Sequence, residues 1–143
     1  MTVRTLAVLC ALGLAACATP PGPPAAASPA PAPAPLAGTR WVGVVEGGPD
    51  ARTLPRLEFT AGGRLAGFTG CNMMSGTWTE EGGEARFGPI AATKRFCAGP
   101  EGEVEKRVLA ALAPGARGVR QGDRLVLIAP GGARFEFSAA AAS

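Results

Sequence analysis

A glycine turn, an arginine and a large apolar residue recur four times in this chain. That pattern restricts the fold to short strands joined by tight hairpins. The copies are Gly63-Arg64-Leu65, Gly83-Glu84-Ala85-Arg86-Phe87, Gly122-Asp123-Arg124-Leu125 and Gly132-Ala133-Arg134-Phe135. Glycine reaches the positive φ that a tight hairpin needs. The arginine opens the next strand in solvent, and the apolar residue after it turns inward. The copies follow no fixed period, so they describe a meander and not a stacked repeat. Strands are expected at Arg40–Val45, Leu57–Thr60, Arg64–Thr69, Gly76–Glu80, Ala85–Phe87, Arg117–Gln121, Leu125–Ala129 and Ala133–Ser138.

One helix interrupts the strands. Between Pro100 and Ala113 the apolar positions Val104, Val108, Leu109 and Leu112 fall at helical spacing. Pro100 suits a first turn, and Pro114-Gly115 ends the segment. Glutamates 101, 103 and 105 precede Lys106 and Arg107, the order the helix dipole favours. Leu125-Val126-Leu127-Ile128 is apolar in both phases, which predicts a strand covered on both faces, with the helix as the cover.

The N-terminus carries a different signal. Residues 1–16 hold one charge, Arg4, and an apolar core from Leu6 to Ala16. That core is shorter than the roughly 20 residues that span a bilayer, and it fits the apolar region of a signal peptide. It ends in Leu14-Ala15-Ala16-Cys17, a box that resembles the cleavage and acylation site of bacterial lipoproteins. The resemblance implies a mature chain starting at Cys17, whose thiol carries the lipid, in a protein triacylated with palmitate-type chains. Several chains hold a membrane firmly where one does not. In the Gram-negative lipoproteins it resembles, Asp after the lipidated cysteine retains the protein at the inner membrane. Ala18 stands here, which points to the outer membrane, facing the periplasm.

Residues 17–35 then form an arm. Eight of the sixteen residues from Pro20 to Pro35 are proline. Proline donates no amide hydrogen and fixes φ, so the segment joins neither sheet nor helix. An extended polyproline II rod of about 3.1 Å per residue would reach about 50 Å. A spacer suits it better than a ligand for a proline-binding module, since no charged anchor flanks the prolines.

Residues 36–143 remain as one small domain. The formal charge of the whole chain is +3, and without Arg4 the mature chain holds 13 basic against 11 acidic residues. That is too weak and too scattered for nucleic acid. Cys10 leaves with the leader and Cys17 carries lipid, so Cys71 and Cys97 remain. In an oxidising envelope compartment an even pair reads as a disulfide, against the alternative of two buried thiols. Closing that loop stabilises by about 3.5 kcal/mol on the chain-entropy account. With no histidine in the chain and no Cys-x-x-Cys, no metal site and no cofactor are expected.

The segment Gly67-Phe68-Thr69-Gly70-Cys71-Asn72, followed by Gly76-Thr77-Trp78, Phe87-Gly88-Pro89-Ile90-Ala91, Thr93 and Cys97, resembles the META domain, the HslJ-like family. Leu36 and Gly38-Thr39-Arg40-Trp41 are similar to its opening strand, and Glu105, Val108, Leu109 and Leu112 to its helix. The likeness covers about residues 36–138. Met74 stands where the family has an aromatic, Trp78 where it has Tyr, and Arg95 where Met is common. The resemblance implies a mainly β fold: a compact, partly closed antiparallel barrel with one packed helix. It also implies an envelope lipoprotein linked to stress tolerance without an established chemistry. The fold is similar to that of secretin pilot lipoproteins, some of which hold an acyl chain.

The candidate site residues follow. Cys71 as a nucleophile would need a base that the chain lacks. Asn72, Met73, Met74 and Trp78 form a possible binding surface, with the methionines as a flexible apolar lining. The competing account is structural: Asn72 hydrogen-bonds a turn at a strand end, and ordinary core packing takes Met73, Met74 and the aromatics Trp41, Trp78, Phe59, Phe68, Phe87, Phe135 and Phe137. Glu80-Glu81 and Glu101, Glu103 and Glu105 fit turn and helix solvation better than paired acid chemistry. The expectation is a non-enzymatic accessory that acts by binding an envelope protein. The alternative is a carrier that holds an acyl chain or apolar peptide segment inside the barrel.

Overall fold

The computed structural model describes residues 34–47 and 50–141. The leader, Cys17 and the arm as far as residue 33 lie outside the described residues. The strands are β1 (Thr39–Gly43), β2 (Arg56–Phe59), β3 (Arg64–Phe68), β4 (Met73–Glu81), β5 (Glu84–Phe87), β6 (Ala91–Ala92), β7 (Arg117–Gln121), β8 (Arg124–Ile128) and β9 (Arg134–Ala139). One helix, α1 (Pro100–Ala111), separates β6 from β7. A short 3-10 turn covers Ala51–Thr53, capped by the Asp50 side chain on the Arg52 amide.

The sheet runs β3-β2-β1-β9-β8-β7-β5-β4, and β3 also pairs with β4. That pairing spans Arg64↔Thr77 to Phe68↔Met73 and closes an eight-stranded antiparallel barrel. The barrel and helix expected from the sequence are present, and the ring of strands is complete. The hairpin glycines sit where their chemistry requires: Gly63, Gly83, Gly122 and Gly132 have φ between 61° and 87°.

Alternation along the strands fills the interior. Trp41, Leu57, Phe59, Leu65, Met74, Trp78, Ala85, Leu125, Leu127, Phe135 and Phe137 point inward and are buried. An eight-stranded barrel is just wide enough for side chains to occupy its lumen. Close approach is built in at Gly67, where a Cβ would run into the Arg56 carbonyl oxygen and sit 2.8 Å from Met74 Cε.

Each end is closed by a different element. Val104, Val108, Ala111 and Leu112 of α1 join the same core, with Val104 against Gly70 after β3 and Arg107 over the Phe135 ring at the start of β9. At the other end Leu36 is fully buried, and its N–H donates to Glu80 Oε2 at 3.4 Å. The chain entering there is clasped by Arg120. Its guanidinium lies over Trp41, 5.3 Å from the ring centroid, and donates to the Pro35 carbonyl at 2.9 Å.

Three sequence expectations are corrected. β4 begins at Met73, three residues before the expected start, because it pairs with β3 along its first half. β6 was not anticipated; two alanines carry little strand signal, and the element exists only through its pairing with β4 at Met74↔Ala92 and Ser75↔Ala91. β8 is buried on both faces as expected, but the helix is not its sole cover: Leu125 and Leu127 face the lumen, while Val126, also buried, faces outward beside Arg107 of α1 and Val44.

Candidate functional site

The turn Thr69–Asn72 joins β3 to β4 under the helix end of the barrel, and a polar knot is built on it. Thr69 and Asn72 are the buried polar side chains here, at 0 % and 3 % exposure. The Cys71 and Asn72 amides donate to Thr69 Oγ1 at 3.2 and 2.8 Å. The Thr69 hydroxyl donates in turn to Glu105 Oε1 of α1 at 2.9 Å.

Asn72 carries the centre of this network. Its Oδ1 accepts from the Arg95 amide and the Thr93 hydroxyl, both at 2.8 Å. Its Nδ2 donates to the Arg95 carbonyl and to Glu105 Oε1, both at 2.9 Å. A buried amide with all its polar capacity used is a structural strut, since nothing on it is left to offer a ligand. The Arg95 guanidinium donates to the Cys71 carbonyl at 2.7 Å. The disulfide Cys71–Cys97 closes the same loop, with Cα atoms 6.1 Å apart.

The four residues expected to share a binding surface are dispersed by the strand period. Met73 faces out and is 61 % exposed, whereas Met74 and Trp78 face the lumen and Asn72 lies within the knot. Trp78 stands T-shaped against Phe59 with ring centroids 5.0 Å apart, and its indole N–H has no hydrogen-bond partner among the described residues. Met73 belongs to another surface. It lines a groove of about 470 Å³ on the outer face of β1–β3, with Val42, Ala66, Phe68, Arg40 and Arg56. Arg56 lies over the Phe68 ring, and Arg40 pairs with Glu58 at 3.5 Å.

Sequence reasoning passed over Phe96. It is 89 % exposed, the most exposed large apolar residue among those described. Arg95 before it is held at both backbone atoms by Asn72, and Cys97 after it is covalently fixed. The only sequence signal was its place beside a cysteine in the basic run Lys94-Arg95.

Beside this loop an apolar trough runs along α1. One hollow of about 500 Å³ is lined by Phe87, Pro89 and Ile90 against Leu109, Leu112 and Pro114. A second of about 520 Å³ continues it past Ile90 and Leu109 to Ala92, Lys94 and Phe96. Both are open hollows on the surface of the domain.

The model of the META domain matches residues 34–142. The chain belongs to the META domain family. Two solved structures share the fold. One, an NMR structure of a protein from Burkholderia xenovorans, has a TM-score of 0.57 and 24% identity, covering 85% of this chain and 99% of its own. A second NMR structure has a TM-score of 0.57 and 23% identity, covering 71% of this chain and 88% of its own. No curated protein matches the sequence. Within this META domain, Gly70-Cys71-Asn72 and Cys97 are among the parts that build the knot.

Proposed function

We propose that this META domain protein is a lipid-anchored accessory of the cell envelope that acts by binding, without catalysis, in stress tolerance or assembly. The observation that carries the reading is the filled barrel. Side chains occupy the lumen, and Leu36 and α1 close its ends. Apolar hollows among the described residues lie on the outside, between β6 and α1 and on the β1–β3 face. Among the described residues this packing argues against the carrier reading, in which an acyl chain or apolar peptide sits inside the barrel.

The lipobox at Leu14–Cys17 and the proline arm support attachment to a membrane, with Ala18 favouring the outer one. The entering chain reaches the barrel at Pro35 beside Arg120, at the end remote from the helix and the disulfide. This arrangement suits a domain that offers its helix end to an envelope partner.

Cell fractionation tests the anchoring. The native chain is expected in the membrane pellet and Cys17→Ala in the soluble fraction. The accessory role is tested in a strain lacking the protein. Sensitivity to envelope stress should rise, with rescue by the native chain and not by Cys17→Ala. Pelleting of the variant, or full rescue by it, would contradict the reading.

A further inference from the structure

We infer that β6 is a docking edge, on which an extended segment of another envelope protein adds as a strand within the trough beside α1. The inference rests on the reading that this domain acts by binding.

The first observation is an open edge. A closed barrel leaves no unpaired strand edges. Here β6 pairs with β4 on one side and, among the described residues, has no neighbouring strand on the other. The reason lies in the chain path: β7 starts only at Arg117, where the backbone has just descended from α1, and it pairs with β5 no further than Arg117↔Arg86. The place that a longer β7 would fill is the trough.

The parity of the ladder shows which groups that edge offers. The Thr93 N–H donates to the Met73 carbonyl at 2.9 Å, so Thr93 faces β4. In a strand the N–H and C=O of one residue point to the same side, and successive residues alternate. Ala92 and Lys94 therefore turn their backbone donors and acceptors away from β4. Water satisfies these groups in the free domain, and an added extended backbone can replace it in register, which is the chemistry of strand addition.

The surroundings say what side chains the added strand carries. Ile90, Leu109, Phe87 and Leu112 line the trough, so every second residue is apolar. Lys94 is exposed and forms no ion pair among the described residues, which calls for an acidic residue near that end. Phe96 stands beyond it as an exposed aromatic on a loop already ordered by Asn72 and the disulfide. Preorganised aromatics of this kind carry much of an interface's energy. Pro35, near the start of the described residues, lies at the opposite end of the barrel beside Arg120.

The test pans a displayed library of random ten-residue peptides against the full chain in detergent micelles. Ala92→Pro is panned in parallel. Proline is tolerated where a strand's N–H faces away from its neighbour, so this variant removes the outward donor and keeps the β4 ladder. A second variant, Leu109→Gln, makes the trough floor polar on a helix position that accepts glutamine.

The native chain is expected to enrich extended peptides with alternating apolar residues and an acidic residue. Individual clones should bind both variants at least ten-fold more weakly, while both variants unfold at native temperature. An absence of enriched peptides, or clones that bind both variants as tightly as the native chain, would overturn the inference. So would displacement of the clones by a synthetic peptide of residues 20–35, which would make the arm the occupant. Anchoring is read separately by fractionation, so failure here leaves that reading to its own test.

Discussion

Asn72 grips Arg95 by both backbone atoms, accepting from its N–H at 2.8 Å and donating to its carbonyl at 2.9 Å. The same side chain donates to Glu105, so one buried amide joins the β3–β4 turn, the Phe96 loop and the helix. Asn72→Ala strands these groups without partners. Each buried orphan costs about 1–3 kcal/mol, and water recovers part of it at the loop. The expected loss is about 2–4 kcal/mol in urea unfolding. Asn72→Asp keeps the acceptor but loses both donations and faces the Glu105 carboxylate, so it should also destabilise. A variant as stable as the native chain would remove the strut role.

The Cys71–Cys97 disulfide closes 26 residues of chain. Replacing both cysteines by serine should cost about 3.5 kcal/mol by loop entropy. The loss should appear in denaturant midpoint with the barrel still folded. Double replacement together with Asn72→Ala should cost less than the two changes summed, because they hold one loop.

Leu36 is the stopper of the end at which the arm enters. Leu36→Ala opens a cavity at a fully buried site, and the expected cost is about 2–5 kcal/mol. Thermal unfolding checks it. A change below 0.5 kcal/mol would show that the barrel mouth is closed by other groups.

Phe96 separates fold from recognition. At 89 % exposure it contributes little to stability, so Phe96→Ser should shift unfolding by no more than about 0.5 kcal/mol. Calorimetry of the purified chain measures this. A large loss would mean that the ring packs on the domain and is not displayed.

Much of the fold was legible because it rests on local chemistry. Gly63, Gly83, Gly122 and Gly132 each mark a turn that needs positive φ, and the Val104–Leu112 stripe marks the helix. Cysteine counting named the pair that bonds. What stayed hidden depends on distant residues. Ala91–Ala92 is a strand only because β4 lies beside it, and Met73 becomes part of β4 only through Phe68 opposite. The partners of Asn72 lie 21 to 33 residues away, at Thr93, Arg95 and Glu105. Met73 and Met74 look alike in sequence, and only the period of β4 sends one to solvent and the other to the lumen. Phe96 was passed over since an apolar residue beside a cysteine gives no sign of its exposure.

The most direct measurement is the intact mass of the protein extracted from membranes after alkylation under native, non-reducing conditions. The account predicts a polypeptide beginning at Cys17, carrying three acyl chains and no alkyl group. A chain without acyl groups would contradict a tethered binding module, and alkylation at Cys71 and Cys97 would contradict the stapled loop on which its recognition surface depends.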